Sequence, residues 1–114
     1  MGLDVGGAHW AYSGFMRFRE RLAAAIGIVS LRDMEGFGGE GRRSWEPFDD
    51  PIVPLLDHSD CEGELAPEVC RTVAPRLKEI VSVWPKDDYD RVQAVILVGA
   101  MKRAARTARP LRFH

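Results

Sequence analysis

The chain has few of the residues that staple small proteins together. Two cysteines, Cys61 and Cys70, and three histidines in 114 residues leave neither a disulfide framework nor a dense set of metal ligands. The longest apolar stretch, Ala94 to Met101, falls far short of the roughly 20 residues that cross a bilayer, so no membrane span is expected. Neither sign of charge dominates: the formal net charge is −1, and no global field draws the chain to DNA or to a membrane. The opening Met1-Gly2-Leu3-Asp4 has no basic flank and no apolar run, so no signal peptide is expected. Gly6 stands where N-myristoylation calls for Ser or Thr. Without an export signal, reduced thiols and a cytoplasmic location are expected. The sequence also lacks a P-loop, a G-x-G-x-x-G turn after a strand, H-E-x-x-H and G-x-S-x-G, which excludes the common nucleotide hydrolases, zinc proteases and serine hydrolases.

What is present suits one small globular domain over residues 1–114. An apolar fraction of 46% and a charged fraction of 29% are ordinary for such a domain, and a chain of this length builds a core without staples. The charge is unevenly placed. From Asp33 to Glu68 there are eleven acids against Arg42 and Arg43. From Met101 to His114 there are five cations, Lys102, Arg103, Arg106, Arg109 and Arg112, and no acid. Cations complement the carbonyl end of a helix, and a patch of this kind also suits an anion or an acidic partner.

Periodicity predicts a mainly α fold: a compact three-helix domain with short extra turns. Phe15, Phe18, Leu22 and Ile26 follow Ser13 at helical spacing, which places a helix near 14–26 with Ser13 as N-cap and Arg17, Arg19, Glu20 and Arg21 mostly off the stripe. Pro67-Glu68 opens a second helix to about residue 84 with Val69, Val73, Leu77, Ile80 and Trp84 inward, and Pro75 is expected to kink or split it. Asp87 is expected to cap a third helix, about 88–106, with Tyr89, Val92, Val95, Ile96 and Gly99 on or near its buried face. Ser30 suits one helical turn, and Asp50-Pro51 a short helix through Leu56. Gly36 to Gly41, with four glycines in six residues, reads as a mobile loop. Leu3-Asp4-Val5 and Leu111 to Phe113 alternate as strands do, and the two ends are expected to form a minimal two-stranded sheet or at least to lie side by side.

Two segments carry candidate chemistry. His58-Ser59-Asp60-Cys61-Glu62-Gly63 has the look of the middle of a calcium loop. Aligned on Gly63, however, it offers His58 and Val69 where such a loop needs Asp and a bidentate Glu, so it reads as a tight polar turn. His58, Cys61 and Cys70 fall short of the four ligands of a structural zinc site. Asp60, Glu62 and Glu64 around Cys61 work against a thiolate nucleophile. No metal and no cofactor are therefore expected. The second segment is His9-Trp10-Ala11-Tyr12-Ser13 with Arg17 and Arg19. Aromatics beside cations at a helix N-terminus suit stacking on a base and gripping a phosphate; the alternative is that the two aromatics close the core while the arginines stay in solvent. Arg17 and Arg19 project about 160° apart on a helix, so they do not grip one phosphate together.

The Met1-Gly2-Leu3-Asp4 start, Tyr12-Ser13-Gly14 before an Arg-bearing helix, the Ser59-to-Gly63 turn with Pro67-Glu68, and the terminal Phe113-His114 together resemble a family of small proteins from bacteria and their phages. The family has no established activity. The resemblance implies a bacterial or phage cytosolic setting and points to the Ser-Asp-Cys-Glu-Gly turn and His114 as places to look. Small phage proteins often counter host defence by binding a protein or sequestering a nucleotide signal.

These readings converge on a non-enzymatic binding protein for a small anion such as a nucleotide. Its expected site residues are Trp10, Tyr12, Ser13, Arg17, Arg19, Ser59, Asp60, Glu62 and His114. The alternatives are a small hydrolase or transferase using Asp60, Glu62, Cys61 or His114, and a protein–protein interaction module acting on a host partner. A homodimer fits any of them, since a short chain makes a deep pocket most easily between two copies.

Overall fold

A computed structural model describes residues 2–28, 30–34, 43–58 and 63–114. The glycine-rich segment 36–41 lies outside them, as do Ser59, Asp60, Cys61 and Glu62. The fold is mainly α, with two small two-stranded antiparallel sheets.

The chain opens with a hairpin. Strand β1 (Gly2–Val5) pairs with β2 (Ala8–Ala11), Leu3 opposite Trp10 and Val5 opposite Ala8. The loop is Gly6-Gly7, with φ of +57° and +95°, the left-handed values that let a two-residue turn follow the twist of its strands. Gly6 is needed for a second reason: a Cβ there would lie 2.2 Å from the Cβ of Ala100. Alternation then sorts the hairpin. Leu3, Val5, Ala8 and Trp10 are buried, while Asp4 and His9 meet on the outer face at 2.9 Å.

Helix α1 (Tyr12–Ala25) follows without a break. The extended residue Ala11 occupies its N-cap and no side chain caps it, so Ser13 lies within the first turn instead of before it. Phe15, Phe18 and Leu22 are buried as expected, and Gly27, at φ +87°, lets the chain leave. A 3-10 turn (Leu31–Asp33) and the single-turn helix α2 (Val53–Leu56) come next. Asp50 prepares α2 by accepting the Ile52 N–H at 3.0 Å. The α2 turn sends Leu55 and Leu56 into the core.

Strand β3 (Gly63–Leu65) leads into α3 (Pro67–Val81), which runs on through Pro75 as one helix, with that ring on the exposed side. Its buried face carries Cys70, Val73, Ala74, Leu77, Ile80 and Val81. A short connection leads to α4 (Tyr89–Thr107), which packs closely against α3. Asp88, not Asp87, caps α4 by accepting the Arg91 N–H at 3.1 Å.

The buried face of α4 differs from expectation. Ala94, Leu97, Val98, Ala100, Met101 and Ala104 face inward, leaving Val92 43%, Val95 57% and Ile96 37% exposed. The helix is apolar on almost every side between Ala94 and Met101, so pattern alone did not say which side meets the core. The small residues Ala94, Ala100 and Ala104 face the core because they let neighbouring elements come close.

Strand β4 (Leu111–Phe113) pairs with β3, Leu65 opposite Leu111. The two ends lie side by side, as expected. Asp4 N–H donates to His114 O at 2.6 Å and His114 N–H donates to Asp4 O at 3.0 Å. Each strand's sheet partner, however, is an interior strand.

Candidate functional site

A cleft of about 470 Å³ opens where the β1–β2 hairpin, the start of α1 and the start of α4 meet. His9, Trp10, Ala11, Gly14, Arg17, Tyr89 and Asp90 line it. The local sequence builds this directly: β2 runs into α1 with no intervening loop, so the start of α1 borders the cleft at Ala11 and Gly14, with no side-chain cap and no acid in the first turn. The first N–H groups of a helix carry partial positive charge and attract anions.

The back wall is a fixed polar network. Trp10 Nε1 donates to Asp90 Oδ1 at 3.0 Å, and Arg21 donates to Asp90 Oδ2 at 2.7 Å and to Asp88 at 3.0 Å. The Arg21 guanidinium also lies 3.8 Å from the ring centre of Trp84. The bond from Arg21 is the main reason the Asp88 carboxyl is held below the usual carboxylate range, despite opposing desolvation. Asp90 therefore enters the cleft with both oxygens engaged. Tyr89 O–H donates to His9 O at 2.6 Å, and the His9 N–H donates to Gln93 Oε1 at 2.9 Å, which ties the hairpin to α4.

Arg17 is exposed and, among the described residues, has no hydrogen-bond or ion-pair partner. Gly14 lies one turn before it; a Cβ there would sit 3.8 Å from Arg17 Nη2. The cleft thus adjoins a helix N-terminus and offers one uncommitted guanidinium, an imidazole and an exposed phenol ring beside the engaged Asp90 carboxylate. It suits a small anion with a planar group attached.

The expected site residues divide. Arg17 and Trp10 line this cleft, and Ser13 belongs to the same helix turn. Trp10 is 1% exposed and stacks on Phe18 with ring centres 4.6 Å apart, so its face is closed to a ligand. Tyr12 is half-buried against the core. Arg19 is a clear correction: it is a buried core residue, 1% exposed. Its Nη1 donates to Leu56 O at 3.1 Å and to His58 O, and its Cζ lies 5.0 Å from the Phe15 ring centre. It holds α1 to the exit of α2. His114 is exposed in a separate shallow depression with Gly63, Glu64, Arg112 and Phe113. Ser59, Asp60 and Glu62 lie outside the described residues.

Tyr89 is the site residue that sequence reasoning missed. It was assigned to the buried side of α4, yet it is 56% exposed and forms a cleft wall. Its place directly after the acidic pair Asp87-Asp88, at a helix start, was the available signal.

Among the described residues no group of three or more His, Cys, Asp or Glu side chains is placed to hold a metal ion. Cys70 is buried with its Sγ 3.8 Å from Leu65 O, and burial is the largest influence pushing its thiol pKa up. His58 stacks on Phe113 with ring centres 4.0 Å apart. Comparison with known protein families, curated proteins and solved structures finds no match to this chain.

Proposed function

We propose that this chain is a non-enzymatic binding protein for a small phosphate-bearing anion, a nucleotide being the expected class, acting in a cytosolic setting. The observation that carries the reading is the uncapped N-terminus of α1 bordering a cleft whose uncommitted charged group is Arg17. Phosphate oxygens would accept from the first-turn N–H groups and from Arg17, with His9 alongside. The base would lie on the Tyr89 ring, in the role the sequence suggests for Trp10 or Tyr12.

The catalytic alternative uses Asp60, Glu62, Cys61 or His114; the first three lie outside the described residues, His114 lies in a separate depression, and nothing in the cleft calls for it. The test is titration calorimetry with ATP, GTP, a cyclic mononucleotide and inorganic phosphate. At least one nucleotide should bind in the micromolar range. Arg17→Glu should weaken binding at least tenfold with an unchanged thermal midpoint, because Arg17 is exposed. Gly14→Asp should do the same by placing a carboxylate at the helix end. Failure of every ligand to bind, or full binding by Arg17→Glu, refutes the reading.

A further inference from the structure

A second surface lies on the outer side of α4. Val92, Val95, Ile96 and Gly99 are followed on the same side by Lys102, Arg103 and Arg106. At about 100° per residue these seven positions fall within an arc of roughly 120°. The arc runs about 21 Å along the helix. The apolar half is exposed although the domain has a complete core elsewhere. Single exposed apolar residues are ordinary, but three β-branched ones adjoining on one helix face are a patch. Gly99 flattens the middle of the patch: a Cβ there would meet only Arg103 Nη1, at 3.7 Å. Glycine weakens a helix interior, and here it leaves room for another backbone to approach.

The cationic half is equally uncommitted. Among the described residues Lys102, Arg103 and Arg106 form no ion pair. Lys102 and Arg106 continue into a groove of about 270 Å³ between α3 and α4, floored by Ala74, Pro75 and Ala105. Its third polar wall is Arg71, whose Nη2 donates to Ala105 O at 3.4 Å. No acid lines the groove.

We infer that this face docks an amphipathic helix of a partner protein, apolar toward Val92, Val95 and Ile96 and rich in Asp and Glu toward Lys102, Arg103 and Arg106. Charge complementarity selects the occupant. The α4 helix of a second copy is a poor fit, because at its other end Asp88 is bound by Arg21 and Asp87 is neighboured by Lys86. A lipid surface is a poor fit too, because the stripe is one helix wide, is bordered by Gln93 and Arg91, and lacks the exposed Leu, Phe or Trp that enter lipid. One helix in an apolar groove with charged ends is a recurring recognition mode.

The probe is a fluorescein-labelled helical peptide of about five turns, with leucines at i, i+3, i+4 spacing in one half and glutamates in the other. A control of the same composition has the two halves mixed. Fluorescence anisotropy should show saturable binding of the first at micromolar concentration, weakened by salt, and at least tenfold weaker binding of the control. Val95→Asp and Arg103→Glu should each weaken binding about tenfold or more, with thermal midpoints within a few degrees of the parent because both sites are exposed. Arg17→Glu should bind the peptide normally, which separates this face from the nucleotide cleft. The inference is overturned if neither peptide binds, if both bind equally, or if Val95→Asp binds like the parent. It is also overturned if the protein sediments with anionic phosphatidylserine vesicles more tightly than it binds the peptide, or if sedimentation velocity shows a dimer that Val95→Asp dissociates.

Discussion

Replacing Arg19 by Met should cost this protein a large share of its stability without touching the surface. The guanidinium is enclosed, donates to Leu56 O and His58 O, and lies over Phe15. Methionine keeps much of the apolar stem and removes every donor. Two carbonyl groups then lose a charged partner, each at about 1–3 kcal/mol depending on how far water reaches it. One of the two sites is only partly buried, so we expect a total loss of about 2–4 kcal/mol. At about 2.1 cal/mol/K of unfolding entropy per residue, a chain of this length loses roughly 4 °C per kcal/mol. The midpoint should therefore fall by about 8–16 °C in scanning calorimetry. Both bonds leave one nitrogen, Nη1, so Arg19→Lys, which keeps the charge and a donor but loses the planar contact with Phe15, should lose about half as much. A midpoint for Arg19→Met within about 2 °C of the parent would show that these bonds carry no net stability, and that the guanidinium is replaceable by apolar bulk as some buried ion pairs are.

Three further outcomes follow from the geometry. Gly6→Ala combines left-handed strain with the overlap against Ala100 and should cost about 2–4 kcal/mol in urea unfolding. Gly27→Ala has the strain but open space around it, so about 1 kcal/mol is expected, and equal costs would refute the clash argument. Stability should fall below about pH 4. The Asp88 carboxyl is held down by Arg21; for Asp50, burial pushes up but Arg76 and the Ile52 N–H outweigh it. Both groups bind fewer protons folded than unfolded, so their contribution is complete above the ordinary carboxylate pKa and is lost as pH drops through the depressed one. Asp88→Asn should shallow that acid limb, and an unaltered limb would remove Asp88 from the account. Finally, Cys70 should resist iodoacetamide in the native protein and be labelled once urea unfolds it, as peptide mass spectrometry would read; native labelling as fast as in urea would contradict its burial.

The main helices were legible because their stripes are long and end at Pro, Gly or Asp. Phe15, Phe18, Leu22, Val73, Leu77 and Ile80 went where periodicity put them. The hairpin was half-read. Leu3 and Val5 showed one strand, but Ala8-His9-Trp10-Ala11 alternates equally well beyond the Gly-Gly pair, and its aromatic-cation composition drew it toward a ligand instead. Without the second strand, Trp10 is left between core and ligand wall, and the N-cap falls on Ser13 instead of Ala11. Arg19 was assigned to the surface by residue type, although it falls four residues after Phe15 and three before Leu22, on the stripe itself. A polar residue at a core position signals a buried partner, here the carbonyls after α2, and sequence does not say where those will lie. The face of α4 was undecidable for the opposite reason, having too many apolar positions. Of the cleft residues, Arg17 is reached by local rules that still place the helix terminus two residues late, whereas Tyr89 enters from the far end of the chain through tertiary packing.

The exchange of backbone bonds between Asp4 and His114 closes a loop of about 110 residues. The Gly6-Gly7 hairpin and the α3–α4 connection close loops of only a few. Loop entropy makes the short closures early events and leaves the seam between the chain's two ends for last. Leu111 and Phe113, whose pairing with β3 closes a loop of about 50 residues, should then show lower φ-values than α3 and α4. Interactions absent from the folding barrier govern how slowly a protein opens, not how fast it forms. A substitution that weakens the seam should therefore speed unfolding, and proteolysis of the opened chain, more than it slows folding.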